Sequence, residues 1–209
     1  MPRRLGAIAA VAFGVGLSVL DGAIANIALP TISGELGISS ADSIWIVNAY
    51  QLAIMVSLLT FSALGDRIGY RRIYIGGLML FTVSSVACAL AGSFSTLVLA
   101  RVLQGFGAAA VTSVNTTLIR TIYPRRQLGR GMGVNATVVA VSSVAGPTLA
   151  AGILSVAHWP WLFAVNIPVG FVALWLSRRY LPENPVKVHD RRFRWRDGLM
   201  YALTFGLLM

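Results

Sequence analysis

Residues 5–29 read LGAIAAVAFGVGLSVLDGAIANIAL, an apolar stretch that contains a single charged side chain, Asp21. At a helical rise of about 1.5 Å per residue, this stretch is long enough to cross a hydrocarbon core of about 30 Å. Comparable stretches follow at 44–64, 73–92, 96–119, 131–156 and 161–180. A seventh begins near residue 198, and Met209 is reached before it is long enough to span. The pattern predicts an all-α polytopic membrane protein, a six-helix bundle followed by the start of a seventh helix.

The composition argues against a water-soluble domain and against an enzyme. Hydrophobic residues make up 56% of the 209 residues and charged residues 11%, whereas soluble domains carry about 25% charged residues. The single cysteine, Cys88, lies inside an apolar stretch, so no disulfide framework and no Cys/His metal site is predicted. The sequence contains no nucleotide-binding P-loop and no G-x-S-x-G motif. We therefore expect no cofactor, no metal and no catalytic residues.

The positive charges predict the orientation in the membrane. The formal net charge is +10, and every lysine and arginine except Arg101 lies outside the spans or at the very end of the sixth, where Arg178 and Arg179 stand. These residues precede the first span, join the second to the third and the fourth to the fifth, or lie at and beyond the end of the sixth, while the connectors 30–43, 93–95 and 157–160 carry none. By the positive-inside rule, the N-terminus is cytoplasmic. The charge thus reflects topology, and no nucleic-acid partner is expected.

Three segments make up the predicted organisation. Residues 1–181 form the N-terminal six-helix transmembrane bundle, 182–197 a basic cytoplasmic linker, and 198–209 the start of the truncated seventh helix. Prolines end the sixth helix, and a run of charge follows them. An alternative for the linker is a surface helix that lies on anionic headgroups, because Phe193 and Trp195 stand among arginines.

Two opposite charges lie well inside the spans, Asp21 in the first and Arg101 in the fourth. A charge near the bilayer centre costs about 2.5 to 3.5 kcal/mol on insertion scales, so such residues usually face a partner or a water-filled cavity. Counting from the span centres places both at a similar depth. We expect them to share a polar interior, where a proton or a cationic substrate competes with the ion pair. The alternative is a purely structural ion pair.

Several motifs resemble those of the major facilitator superfamily, and more closely its fourteen-span drug/proton antiporter branch. LDGAIANIALPTI at 20–32 resembles the first-span motif L-D-x-T-I-V-N-V-A-L-P, and Trp45 with Tyr50 matches the W-x-x-x-x-Y of the next span. SALGDRIGYRR at 62–72 resembles the signature loop G-x-L-A-D-R-x-G-R-K, with serine for its first glycine and Tyr70 for its arginine.

The later spans carry further motifs of the same branch. LVLARVLQGFGAA at 97–109 resembles the fourth-span motif and places Arg101 where the family carries an arginine implicated in proton coupling. Gly146 and Pro147 match the antiporter motif G-x-x-x-G-P-x-x-G-G, whose other glycines are serine or alanine here, and Pro147 predicts a helix bend. HWPWLFAVNIPVG at 158–170 resembles W-R-W-x-F-x-I-N-V-P-I-G.

The resemblance implies a bundle that pairs with a C-terminal half absent from this sequence and binds its substrate between the halves. It implies a proton-coupled exporter of small amphipathic or cationic compounds in the bacterial inner membrane, whose partners are protons, substrate and the lipid bilayer. A nutrient symporter or facilitator on the same fold is the alternative, and a membrane-embedded sensor or scaffold is a further one. The implied residues are Asp21 and Arg101 for proton coupling, Asn26, Asn48, Tyr50 and Gln104 for the substrate cavity, and Asp66, Arg67, Gly69 and Arg71 for a conformational latch.

Overall fold

The computed structural model describes residues 2–183, and the regular structure in that part of the chain is helical. Its helices are α1 (Pro2–Leu36), α2 (Ser40–Ile68), α3 (Tyr70–Ala89), α4 (Phe94–Ile122), α5 (Leu128–Leu154), α6 (Pro160–Ala164) and α7 (Asn166–Tyr180). Six segments within these residues are long and apolar enough to cross a membrane, with α6 and α7 together forming the last. The six predicted spans are therefore confirmed. The predicted seventh helix, and the linker beyond Glu183, lie outside the described residues.

The helices extend beyond the hydrophobic stretches that predicted them. α1 continues through Pro30 to Leu36, where the sequence analysis placed a connector from residue 30. A proline inside a helix removes one backbone hydrogen bond, and the remaining bonds of α1 carry the helix past it. α3, by contrast, ends at Ala89, before the end of its predicted stretch, and Ser93 caps the start of α4 through a capping box with Thr96.

Gly69 is the whole connection between α2 and α3. Its φ of 107° lies in the region that favours glycine. The chain therefore reverses within one residue, and the second and third spans run in opposite directions from this turn.

One end of the bundle collects most of the arginines of the described residues, and we call it the arginine-rich end. Here α1 begins, α2 meets α3, α4 ends and α7 ends. Two contacts bring these segments together. Arg4 Nη2 donates to Gln127 Oε1 at 2.7 Å, and Arg71 Nη2 donates to the backbone carbonyl of Arg178 at 2.6 Å. The opposite end contains Glu35, Asp42 and His158.

Glycines allow α3 and α4 to pack backbone against backbone. A Cβ added at Gly77 would lie 2.6 Å from the Cβ of Ala110 and 2.9 Å from the carbonyl oxygen of Gly107. A Cβ added at Gly107 would lie 2.6 Å from the backbone nitrogen of Phe81. Small residues therefore set the separation of these two spans, as is common in membrane helix pairs.

Gly77→Ala is expected to destabilise the protein by about 1 to 3 kcal/mol, because the new methyl group overpacks the α3–α4 contact. Gly76 provides a matched control one residue away, since nothing lies within 4 Å of a Cβ added there. Gly76→Ala should be neutral or stabilising by up to about 1 kcal/mol, because alanine is the better helix former. Thermal unfolding in neutral detergent measures both. Equal effects of the two variants would contradict close α3–α4 packing.

Candidate functional site

A buried ion pair lies inside the bundle. Arg101 Nη1 on α4 donates to Asp21 Oδ2 on α1 at 2.5 Å. The side chain of Arg101 is 0% exposed and that of Asp21 is 1% exposed. The structure thus brings together the two charges that the sequence placed at a similar depth, and it seals them from solvent.

Two amide side chains satisfy the other oxygen of the Asp21 carboxylate. Oδ1 accepts hydrogen bonds from Gln104 Nε2 at 3.0 Å and from Asn166 Nδ2 at 2.6 Å. Gln104 also donates to Ser85 Oγ at 2.9 Å and accepts from Arg101 Nη1 at 2.6 Å. A buried carboxylate is costly unless it is paired and hydrogen-bonded, and here its partners come from α4 and α7, while Ser85 on α3 accepts from Gln104. We call these five residues, Asp21, Ser85, Arg101, Gln104 and Asn166, the polar cluster.

The guanidinium of Arg101 also contacts α2 and α6. Arg101 Nε donates to the carbonyl oxygen of Ile46 at 3.2 Å. Its central carbon lies 4.1 Å from the ring centroid of Tyr50 and 5.5 Å from that of Phe163. Aromatic faces attract a desolvated cation. Arg101 Nη2 is buried and has no hydrogen-bond partner among the described residues.

Helix packing explains how these groups reach one another. A Cβ at Gly105 would lie 2.5 Å from the carbonyl oxygen of Tyr50, so only glycine lets α2 approach α4 at this level. The Tyr50 hydroxyl donates to the carbonyl of Ser18 at 3.0 Å and ties α2 to α1. Arg101 and Gln104, three residues apart, share one face of α4 and point into the same interior.

Sequence reasoning missed three residues at or beside the cluster. Asn166 begins α7 after the helical break at Val165, and Ser85 lies on α3. Cys88 is fully buried, with its sulfur 3.5 Å from Gln104 Oε1. Asn166 could have been found, because it is a polar residue inside the apolar run of the sixth span. A serine or a cysteine in a membrane helix gives no comparable signal, because their polar groups can bond to their own helix.

Two of the predicted cavity residues are buried and two are exposed, and their role in a substrate cavity stays a prediction. Tyr50 and Gln104 are buried, and both are engaged at the polar cluster. Asn26 and Asn48 are exposed on α1 and α2. Asn26 Nδ2 donates to the carbonyl of Gly22 in its own helix at 2.9 Å.

The predicted latch residues flank the Gly69 turn. The Tyr70 hydroxyl donates to Asp66 Oδ1 at 2.6 Å, from the position where the family motif carries an arginine. Arg71 binds the end of the sixth span through the Arg178 carbonyl, and its Nη1 lies 3.3 Å from Glu183 Oε1. Arg67 is exposed in the last turn of α2.

The predicted antiporter motif lies where α5 packs on α1. A Cβ added at Gly146 would collide with the Cβ of Ala23, so the glycine permits this approach. Pro147 is exposed, and α5 continues through it to Leu154. The bend predicted at Pro147 stays a prediction.

These observations define an integral membrane protein whose helices enclose a single buried charge pair among the described residues. The chain belongs to the Major Facilitator Superfamily, whose family model matches residues 11–207. The family and the relatives described next identify a transporter-family protein rather than an enzyme.

Three relatives illustrate the match. The chain is 58% identical over 209 residues to an uncharacterized transporter, YebQ, of Escherichia coli (strain K12), covering 100% of this chain and 46% of that protein. It is 32% identical over 199 residues to the riboflavin transporter RibZ of Clostridioides difficile (strain 630), covering 95% and 44%. It is 36% identical over 198 residues to the putative multidrug resistance protein MdtD of Salmonella typhi, covering 95% and 42%. The chain thus spans less than half the length of these relatives.

A solved structure supports the fold independently. A peptide transporter, POT, superposes with a TM-score of 0.78 at 13% sequence identity, covering 96% of this chain and 44% of that one. At that identity the similarity concerns the fold alone.

Proposed function

We propose that the chain acts as the N-terminal half of a proton-coupled secondary transporter that exports small amphipathic or cationic compounds. The observation that carries this proposal is the Asp21 carboxylate, buried and held by Arg101 and two amides. A proton that binds Asp21 removes the attraction to Arg101 and weakens the contact between α1 and α4. Protonation and helix separation are therefore linked.

The energetics allow such coupling. One proton that moves down a potential of 100 mV supplies about 2.3 kcal/mol, which is enough for roughly fifty-fold accumulation of substrate. Because Asp21 is 1% exposed in this conformation, a proton reaches it only after the polar cluster opens. The alternating-access movement opens the polar cluster, so that the proton and the substrate reach the site at different stages of the transport cycle.

The other predicted site residues have roles in the same transport cycle. Exposed Asn26 and Asn48 contribute to the substrate cavity between the halves, while Tyr50 and Gln104 connect that cavity to the polar cluster. The arginine-rich end lies on the cytoplasmic side of a bacterial inner membrane, as the positive-inside rule indicates. Asp66, Arg67, Gly69 and Arg71 form the latch at that end, and Gly146 with Pro147 lets α5 bend during the cycle.

Asp21→Asn is expected to abolish proton-driven transport when transport is compared at matched amounts of protein in the membrane, a correction that is needed because the substitution also leaves Arg101 buried without its counter-charge. Asparagine keeps the shape of the side chain but neither takes up a proton nor pairs with Arg101 as an anion. The assay uses proteoliposomes of the complete transporter with an imposed pH gradient and a fluorescent lipophilic cation. Asp42→Asn is the control, because this acid is exposed at the start of α2. Unchanged transport by Asp21→Asn would leave only a structural ion pair.

A second candidate is the uptake or release of a nutrient or metabolite. The similarity to a protein named a riboflavin transporter favours it. The same proteoliposomes separate the two candidates when they are loaded with riboflavin or with the lipophilic cation. Movement of substrate against the proton flow supports antiport, and movement with the protons supports symport.

A further inference from the structure

A cavity of about 540 Å³ opens at the arginine-rich end, away from the polar cluster. Its walls come from the first residues of α1 and α3 and from the last residues of α4 and α7. The volume falls within the range of about 300 to 1,000 Å³ that is typical of small-molecule sites.

The charged lining of this cavity is mainly cationic. Arg4, Arg71 and Arg179 line it from three different helices, and Glu183 is the one acidic residue among the lining residues. Planar guanidinium groups donate pairs of hydrogen bonds that match the oxygens of phosphate. Three of them around one cavity favour an anionic, phosphate-bearing ligand.

Two of the arginines are held in place by protein contacts. Arg4 Nη2 donates to Gln127 Oε1, and its guanidinium carbon lies 4.8 Å from the ring centroid of Tyr123. Arg71 is held by the Arg178 carbonyl. Both arginines also have a buried Nε without a hydrogen-bond partner among the described residues. Prepositioned donors lose little side-chain freedom when a ligand binds.

The remaining charged groups can rearrange around a ligand. Arg179 is exposed, and its guanidinium carbon lies 5.9 Å from the ring centroid of Tyr180. The Glu183 side chain is 91% exposed, and its pairing with Arg71 at 3.3 Å is a surface ion pair. Such pairs contribute little net stability, so an incoming anion can displace Glu183.

We propose that this cavity binds a phosphate group, carried either by the headgroup of an anionic phospholipid or by a soluble phosphate compound. The phosphate oxygens replace Glu183 at Arg71, while Arg179 folds over the ligand and Arg4 completes the site. The inference goes beyond the proposed transport function, and its test requires no transport assay.

The test measures binding to the purified protein in neutral detergent. Native mass spectrometry compares retention of phosphatidylglycerol with that of phosphatidylcholine, and thermal unfolding at constant ionic strength measures the effect of pyrophosphate. We expect at least one of the two phosphate probes to bind. Arg179→Gln should weaken that binding about tenfold, because it removes a charge-assisted hydrogen bond. Glu183→Gln should strengthen it several-fold, because it removes the competing carboxylate.

Arg130→Gln is the matched control, since it removes the same charge from an exposed site that does not line the cavity. Selective retention of phosphatidylglycerol assigns the site to a lipid headgroup, and stabilisation by pyrophosphate alone assigns it to a soluble compound. Equal weakening by Arg179→Gln and Arg130→Gln would show diffuse surface attraction and overturn the proposal. Failure of both probes to bind would also overturn it, as would an unchanged affinity in Glu183→Gln.

Discussion

Replacing Arg101 by methionine is expected to lower the free energy of unfolding by about 3 to 5 kcal/mol. The variant leaves the Asp21 carboxylate buried without its cation, and Gln104 Oε1 and the Ile46 carbonyl lose a donor. Methionine fills part of the volume between Tyr50 and Phe163, so lost packing is a smaller part of the cost. Denaturant unfolding in detergent, followed by tryptophan fluorescence, gives the value.

The double variant Asp21→Asn with Arg101→Met separates charge from packing. Removing both charges abolishes the uncompensated buried carboxylate, so most of the stability should return, and the two substitutions should be strongly non-additive. Arg130→Met is the control, because Arg130 is exposed on α5 and its loss should change stability by less than about 0.5 kcal/mol. A double variant as unstable as the single one would contradict an ion pair that matters through its charge.

Cys88 supplies an independent readout of the same variants. It is the single cysteine of the sequence and is fully buried beside Gln104. A thiol reagent therefore reaches it only when the bundle opens around the polar cluster. Labelling that accelerates in Arg101→Met and slows again in the double variant would place the loss of stability at the cluster itself.

The spans and the ion pair could be predicted from the sequence, because both follow from the free-energy cost of burying or exposing a side chain. An apolar run of this length has few alternatives to a membrane helix. Two opposite charges at a similar depth have few partners except each other. The approach of Asp21 to Arg101 thus needed no knowledge of which helices are neighbours.

Asn166 stands out as a polar residue in an apolar run, but its contacts and those of Ser85 could not be predicted, because they depend on helix rotation and on which helices are neighbours. Asn166 is neutral and costs less to bury than a charge, so no depth argument pairs it with Asp21. Ser85 reaches Gln104 only because glycines bring α3 close to α4. The family resemblance grouped Asn26 with Gln104, but sequence alone does not show that Asn26 is exposed and Gln104 buried.

The contacts at the arginine-rich end could not be predicted from the sequence for a different reason. Charge counting assigns these arginines to one side of the membrane but gives them no partners, and Arg71 binds the end of α7 through a backbone carbonyl. The last carbonyls of a helix lack intrahelical donors and attract cations. Sequence alone shows the arginine but not the helix end that it meets.

Asn166→Asp is expected to cost about 3 to 5 kcal/mol, as much as the loss of Arg101. The substitution hardly changes the size of the side chain, but it replaces the amide that donates to Asp21 Oδ1 at 2.6 Å by a second carboxylate. Two carboxylates then face one guanidinium in an interior without solvent, and like charges at this distance repel strongly. Asn48→Asp is the control, because this asparagine is exposed on α2. Denaturant unfolding of both variants in detergent gives the difference.

The swap of the two side chains, Asp21→Asn with Asn166→Asp, makes the test sharper. It restores one carboxylate and one amide to the cluster, so a large part of the lost stability should return. Proton-driven transport should stay absent, because the carboxylate no longer belongs to α1 and its protonation no longer releases that helix from α4. A swap variant that recovers stability and transport together would place the proton site in the cluster as a whole. If Asn166→Asp lowers the free energy of unfolding no more than Asn48→Asp does, the buried contact between Asn166 and Asp21 is contradicted.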